Sequence, residues 1–315
     1  MDKRKNCLVC LICLVFFVSC NFGISTDNAV PPYVDPAKDV TKVWFEQDIY
    51  FVNPGDVVDI KVHTDPELKD YRIPYSYSGG RNIIETLPLG EQTDFSVLSF
   101  KALDPGSVKC TVKINNIESS CIIVIGDYES WFDITPSGCL TLNDKHPRKT
   151  LSYLPILPEI KGIKIKTIDS ISLSTNEYHE LFLPEGIETI NSLWGVCGDL
   201  VIPSSVRTIK SYALTCWLKS LVIKDGLTVI PEHMLSGYSG MEKLILPNTI
   251  ETIGDKAFEG CTGLKSLDIP SSIKTMAPNA LYDIECDVVI HKTKDSISGF
   301  PWGHTYPSKI KWVEE

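Results

Sequence analysis

Cysteine is the residue type in this chain whose spacing most invites chemistry. Cys7, Cys10 and Cys13 spell C-x2-C-x2-C, a spacing that elsewhere ligates iron–sulfur clusters. Here the three lie within the apolar run 7–18, which follows the basic start Lys3-Arg4-Lys5. A short apolar run behind a basic stretch reads as an export signal, well under the ~20 residues that cross a bilayer. The cluster reading is therefore set aside. Cys110 and Cys121 differ. If Asn115-Asn116 is a two-residue hairpin turn, Ile114 faces Ile117 and Cys110 falls opposite Cys121. Alternation places Val108, Cys110, Val112 and Ile114 on one face, so both thiols should point inward. Opposite residues of an antiparallel pair can meet disulfide distance limits. Two buried free thiols, packed as small hydrophobes, are the alternative.

The remaining reactive residue types form no recognisable constellation. The six His (63, 146, 179, 233, 291 and 304) include no H-E-x-x-H and no i, i+4 pair. Gly237-Tyr238-Ser239-Gly240 is one residue short of G-x-S-x-G. No phosphate loop and no G-x-G-x-x-G occurs. The formal charge of −10 over 315 residues argues against a broad nucleic-acid surface. The expectation is a non-enzyme with no cofactor, no metal, no small-molecule substrate and no nucleic-acid partner.

Ser19-Cys20 follows the apolar run, with Phe17 in place of the usual Leu. This resembles the lipobox of bacterial lipoproteins, which implies lipidation of Cys20 after removal of residues 1–19. The remaining chain would hold 27 basic against 39 acidic residues, a surface without a polybasic membrane patch. Several acyl chains on Cys20 would satisfy the more-than-one-chain condition for anchoring. Residues 20–39 are polar with three Pro and read as a tether. The expected location is the bacterial outer membrane, lipid-anchored and facing outward, with the periplasmic face open as the alternative.

Residues 40–126 carry short alternating runs broken by Asn-Pro-Gly, Asp-Pro, Ser-Gly-Gly and Asp-Pro-Gly. Strands with such turn signals every 8–12 residues predict a β-sandwich. The stretches 52–56 (VNPGD) and 100–107 (FKALDPGS) resemble motifs of bacterial immunoglobulin-like domains. Residues 127–137 read as a linker.

The segment 138–315 repeats itself. Leu181-Phe182-Leu183-Pro184 recurs as Leu200-Val201-Ile202-Pro203, Leu221-Val222-Ile223-Lys224, Leu244-Ile245-Leu246-Pro247, Leu267-Asp268-Ile269-Pro270 and Val288-Val289-Ile290-His291. The intervals are 19, 21, 23, 23 and 21 residues, the range of leucine-rich repeats. Each unit predicts a short inward-facing strand, a stop at Pro and a second apolar pair such as Ile250/Ile253 that turns beneath the sheet. Apolar patches such as Ala257-Phe258 and Ala213-Leu214 should cover the far side. One unit cannot bury its own apolar face, whereas stacked units can. The stretch 253–267 (IGDKAFEGCTGLKSL) resembles the repeat of BspA-like leucine-rich-repeat proteins of anaerobic bacteria. The segments 138–142 and 157–163 look like that family's entry, and 298–303 with 310–312 like its close. Cys197, Cys216 and Cys261, with Tyr238 in the unit between, occupy one place per repeat and read as a packed internal column.

The fold class expected is therefore β-rich, all-β with short helical turns: an Ig-like β-sandwich followed by a leucine-rich-repeat solenoid with a parallel sheet. The middle residue of each strand should face outward on the concave side. Phe182, Val201, Val222, Ile245, Asp268 and Val289 form this stripe, rimmed by Glu180, Asp199, Lys243 and Asp287. An apolar stripe with a charged rim suits a macromolecular contact, unless the N-terminal domain or Trp131-Phe132 covers it. The BspA-like resemblance implies adhesion, with a host matrix protein, a host cell or another bacterial surface as partner. A structural component of the envelope and a glycan-binding accessory are the alternatives. The glycan reading rests on Trp194, Trp217 and Trp302, which fall on covering segments and in the closing segment, where core packing is the expectation.

Overall fold

The computed structural model describes residues 35–68, 71–80, 82–87, 96–173, 180–293 and 296–314. Cys20 and the expected export signal lie outside them, as does the tether as far as residue 34. Among the described residues, regular structure is strand apart from two 3-10 turns, Tyr128–Trp131 and Pro307–Lys309. No helix among them is long and apolar enough to cross a membrane.

Eight strands make the N-terminal sandwich: β1 (Lys42–Phe45), β2 (Ile49–Val52), β3 (Val57–Asp65), β4 (Tyr75–Gly79), β5 (Ile84–Thr86), β6 (Val97–Ala102), β7 (Gly106–Ile114) and β8 (Ile117–Ile125). One sheet runs β1-β3-β6-β5 and the other β2-β8-β7-β4, with β2 and β8 the parallel pair. Along β3 every second residue from Val58 to Thr64 is buried, the pattern of a strand with one face on a core. Ile60, Val62, Leu98 and Phe100 of one sheet share that core with Val108, Val112, Ile114 and Ile123 of the other. The β7–β8 register pairs Ile114 with Ile117 and Cys110 with Cys121.

Strand β8 departs from simple alternation: Cys121 through Ile125 are all buried. Cys121, Ile123 and Ile125 face the sandwich core. Ile122 and Val124 face the other way, into the apolar core of the repeats. The sandwich therefore closes the open end of the stack, which a solenoid requires of whatever precedes its first turn. From Pro36 onward the chain forms one compact unit.

The segment 127–137, read from sequence as a linker, is built into this junction. Tyr128, Trp131 and Phe132 are buried in the repeat core, and Phe132–Ile134 pairs antiparallel with Cys139–Leu142. The Tyr128 hydroxyl donates to the Pro155 carbonyl. Three bulky aromatic rings cannot stay in water when an open solenoid end lies beside them. Polar contacts complete the seam. The Ser107 N–H donates to the Thr150 carbonyl at 3.0 Å, and the Ser107 hydroxyl accepts from the Tyr153 N–H at 2.7 Å. Gly106 allows this approach: with φ +156°, a Cβ there would lie 2.5 Å from the Thr150 oxygen.

The repeats stack through two parallel ladders. The outward-facing sheet contains 199–202, 220–223 and 243–245 in register. A second group pairs 266–269, 287–290 and 310–312. Beneath them run two-residue strands, Thr167-Ile168 to Thr189-Ile190 to Thr208-Ile209, then Val229-Ile230 to Thr252-Ile253 to Thr275-Met276. Leu181, Leu200, Leu221, Leu244, Leu267 and Val288 bury one column, and Ile187, Val206, Leu227, Ile250 and Ile273 another. The repeat Pro begins a turn as well as ending a strand. The carbonyls of Pro203, Pro247 and Pro270 accept the N–H three residues on, at 3.2–3.3 Å.

Two units differ from the expected short strand. Leu193–Ile202 and Leu214–Ile223 are continuous strands of ten residues. They lie in the units with the 19- and 21-residue intervals. The 23-residue units instead place turns at 234–240 and 257–263, where Gly237 (φ +86°) and Gly260 (φ +69°) supply the left-handed residue. The last unit, 270–291, has a 21-residue interval as well but keeps a turn at 278–283, so interval length alone does not set which units run straight.

Candidate functional site

The outward residues of the repeat sheet lie where the two-residue spacing put them. Val201 pairs with Val222, and Val222 with Ile245. Asp268 pairs with Val289. Phe182, Val201 and Ile245 are 37%, 44% and 41% exposed, Val222 and Val289 are half-buried, and Asp268 is exposed. Four apolar residues thus follow one another from Phe182 to Ile245, spanning ~14 Å at ~4.8 Å per strand.

The ladder is longer than the repeat pattern indicated, though Pro155 at its first end is buried and only Lys311 adds to the exposed row. Pro155 pairs with Phe182 at one end, and Lys311 with Val289 at the other. Both were missed because the end strands, Tyr153-Leu154-Pro155 and Ile310-Lys311-Trp312, have lost the Leu-x-Leu-Pro signature. The sheet also breaks between 243–245 and 266–269, where the polar half begins. There His291 stands 3.6 Å from Asp268, and Lys311 bonds Asp287 at 2.9 Å. On the rim, the Ser220 hydroxyl donates to Asp199 at 2.7 Å. Trp131 and Phe132, candidate covers for the stripe, are buried inside the stack instead, and the sandwich occupies the end of the stack.

The tryptophans divide differently from expectation. Trp302 is fully buried in the closing segment, its indole N–H donating to the Ser298 carbonyl at 2.8 Å. Trp194 and Trp217, expected in the core, are 40% and 60% exposed. Each sits in one of the ten-residue strands, and in the second of these the residues alternate from Leu214 to Lys219: Leu214, Cys216 and Leu218 go in, Thr215, Trp217 and Lys219 go out. Absence of the turn changes which face the indole takes.

The cysteine column is internal where its side chains are described. The Cys216 thiol donates to the Leu193 carbonyl at 3.4 Å, and the Cys261 thiol to the Leu235 carbonyl at 3.2 Å. Burial pushes the Cys261 thiol up to about 12, which keeps it a protonated donor. Tyr238 fills the same place by accepting from the Cys216 N–H and donating to the Leu214 carbonyl, both at 2.5 Å. Each side chain satisfies backbone of the preceding unit, a reason for one polar-tipped residue per turn.

Other reactive groups are engaged in structure. His304 accepts from the Tyr306 N–H and donates to the Cys286 carbonyl at 3.0 Å; burial holds its pKa below the ordinary value. Glu185 joins three units. Burial opposes its ionisation, but hydrogen bonds from the Ser204 N–H and hydroxyl, the Ser205 N–H and Lys224 together outweigh that and bring its carboxyl down to about 2. Among the described residues, no group of three or more His, Cys, Asp or Glu is placed to hold a metal.

Cys110 and Cys121 face each other as buried free thiols. The hydrogen bond with Cys110 and burial raise the Cys121 pKa, so the folded pair carries little of the thiolate that oxidation needs. The expected outcome is that both thiols of the denatured chain take maleimide without prior reduction. Labelling of this pair only after reduction would identify a disulfide.

Stacked units of about 20 residues, a parallel strand in each and a shared Leu/Ile core define a leucine-rich-repeat solenoid. Residues 196–298 match the family described as BspA type leucine rich repeat region, in six copies. Among solved structures, a leucine-rich repeat protein from Eubacterium ventriosum aligns at 17% identity over 57% of this chain, with a TM-score of 0.41. One from Bacteroides ovatus aligns at 18% over 52%, with a TM-score of 0.31. The alignments span 56% and 54% of those two proteins. No curated protein matches the chain.

Proposed function

We propose that this is an adhesin-like, cell-envelope-anchored protein that binds a macromolecule, a protein, through the outward face of its repeats and performs no catalysis. The observation that carries the reading is the uncovered run Val201, Val222 and Ile245 on paired strands, with Phe182 outward on the strand of the preceding unit. An apolar row with a charged rim is what a protein contact buries. The face is an open sheet, a poor place to exclude water from reacting groups. Cys20 would hold the chain to the outer membrane and leave the repeats facing outward. The sandwich then holds the first turn of the solenoid rigidly, a different role from that of a spacer on a flexible joint.

The test replaces Val222 and Ile245 together with Lys. Both side chains point away from the core, so the melting temperature should stay within a few degrees. Retention on an immobilised mixture of extracellular-matrix proteins should fall at least about tenfold, because two charges would be desolvated at the centre of the contact. Retention unchanged by the double substitution would reject this face. Protease treatment of intact cells bears on the anchoring: release of the repeats is expected for an outward-facing protein, and none for one facing the periplasm.

A further inference from the structure

We propose that the groove beside Trp217 is a separate binding site for a neutral oligosaccharide. Three observations converge on it. Trp217 is 60% exposed, on the outward face of Leu214–Ile223 together with Thr215 and Lys219. An indole left in water at this level has no packing role in the solenoid. Secondly, the groove follows from a change in repeat length. The straight strand forms its floor, and the turn of the longer next unit, Gly237 to Gly240 with Glu242, rises as its wall. It encloses about 640 Å³, within the range of small-ligand clefts. Thirdly, Gly240 has no left-handed φ, and a Cβ there would meet nothing within 4 Å. The fold places no demand for glycine at this position, whereas a ligand resting against the backbone would.

The chemistry of the lining selects the ligand class. A pyranose ring presents an apolar C–H face and a rim of hydroxyls that both donate and accept. The indole offers a flat apolar platform for the first. Lys219 donates and Glu242 accepts for the second; Glu242 stands 4.0 Å from Lys219 and bonds Lys265 at 2.9 Å, so its charge is already answered and the site holds no free carboxylate for a cation. An extended peptide is a poorer fit. Leu214–Ile223 is paired along one edge with 193–202. On the other, 220–222 pair with 243–245, the Tyr238 hydroxyl accepts from the Cys216 N–H and donates to the Leu214 carbonyl, and the Glu242 N–H donates to the Lys219 carbonyl, so little strand edge is left to bind one.

This site is independent of the apolar row around Val222 and Ile245, and the experiment keeps them apart. The full chain is titrated calorimetrically with three neutral hexaoses: cellohexaose, mannohexaose and N-acetylchitohexaose. At least one should bind. Trp217→Ala should weaken it at least about tenfold, as loss of an aromatic stacking partner does. Gly240→Val should do the same by filling the groove, at an unchanged melting temperature. The Val222→Lys, Ile245→Lys protein should bind the sugar like wild type. Should Trp217→Ala disturb folding, Gly240→Val alone decides between a filled and an unused groove. Absence of binding to all three hexaoses, or wild-type affinity in folded Trp217→Ala or in Gly240→Val, overturns the proposal.

Discussion

A chain carrying Ile122→Asp and Val124→Asp is expected to lose cooperative folding of both the sandwich and the repeats. Both side chains leave a sandwich strand to enter the repeat core, at 7% and 0% exposure. Ile122 faces half-buried Lys109 across the β7–β8 ladder, which would answer part of a charge at 122, whereas Val124 faces buried Ser107. An unpaired buried carboxylate costs several kcal/mol or forces its own protonation. The pair of substitutions therefore removes much of the ~5–15 kcal/mol that holds a domain together. The loss should propagate because Leu140, Leu154 and Ile168 of the first turns depend on the same cover, and a solenoid is stabilised by neighbour contacts. Tyr77→Asp, on the exposed face of edge strand β4, should shift stability by no more than about 0.5 kcal/mol. The measurements are thermal unfolding by circular dichroism and limited proteolysis. Repeats that stay protease-resistant with an unchanged transition would show that the sandwich is only appended.

Trp302→Ala should cost about 3–5 kcal/mol, the range for deleting a fully buried large aromatic. The ring is enclosed, its N–H is bonded to Ser298, and it meets Phe300 at 5.7 Å and Trp312 at 6.0 Å between centroids. Its backbone carbonyl also accepts the Leu281 N–H, so the closing segment and the last turn are tied through this residue. For a unit of this size the melting temperature should fall by about 5–9 °C. Trp217→Ala should leave it nearly unchanged, since that ring is mostly in water. A small shift for Trp302→Ala would mean that the closing segment contributes little to the end of the stack.

That contrast marks where sequence reasoning reached its limit. Trp194, Trp217 and Trp302 are the same residue type in segments that all looked apolar. Trp194 and Trp217 point outward from the two straight strands, whereas Trp302 is enclosed by the closing segment. The intervals of 19 and 21 residues were visible, but the last unit, also of 21 residues, keeps a turn at 278–283, so spacing did not tell which units run straight. Likewise, the run Ile122-Ile123-Val124-Ile125 is legible as a strand buried on both faces. What covers its second face is not, because the cover comes from residues in the later repeats.

The sequence by itself determined the repeat period, the inward columns of Leu and Ile, the outward row from Phe182 to Val289 and the facing of Cys110 and Cys121. These follow from the two-residue alternation of strands and from turn residues, which act over a few neighbours in the chain. Tertiary structure alone decided that Tyr128, Trp131 and Phe132 of the expected linker are core, that the sandwich closes the stack and that a groove opens beside Trp217. Each of these depends on surfaces brought together across long separations, where burial is set by what arrives from elsewhere in the fold.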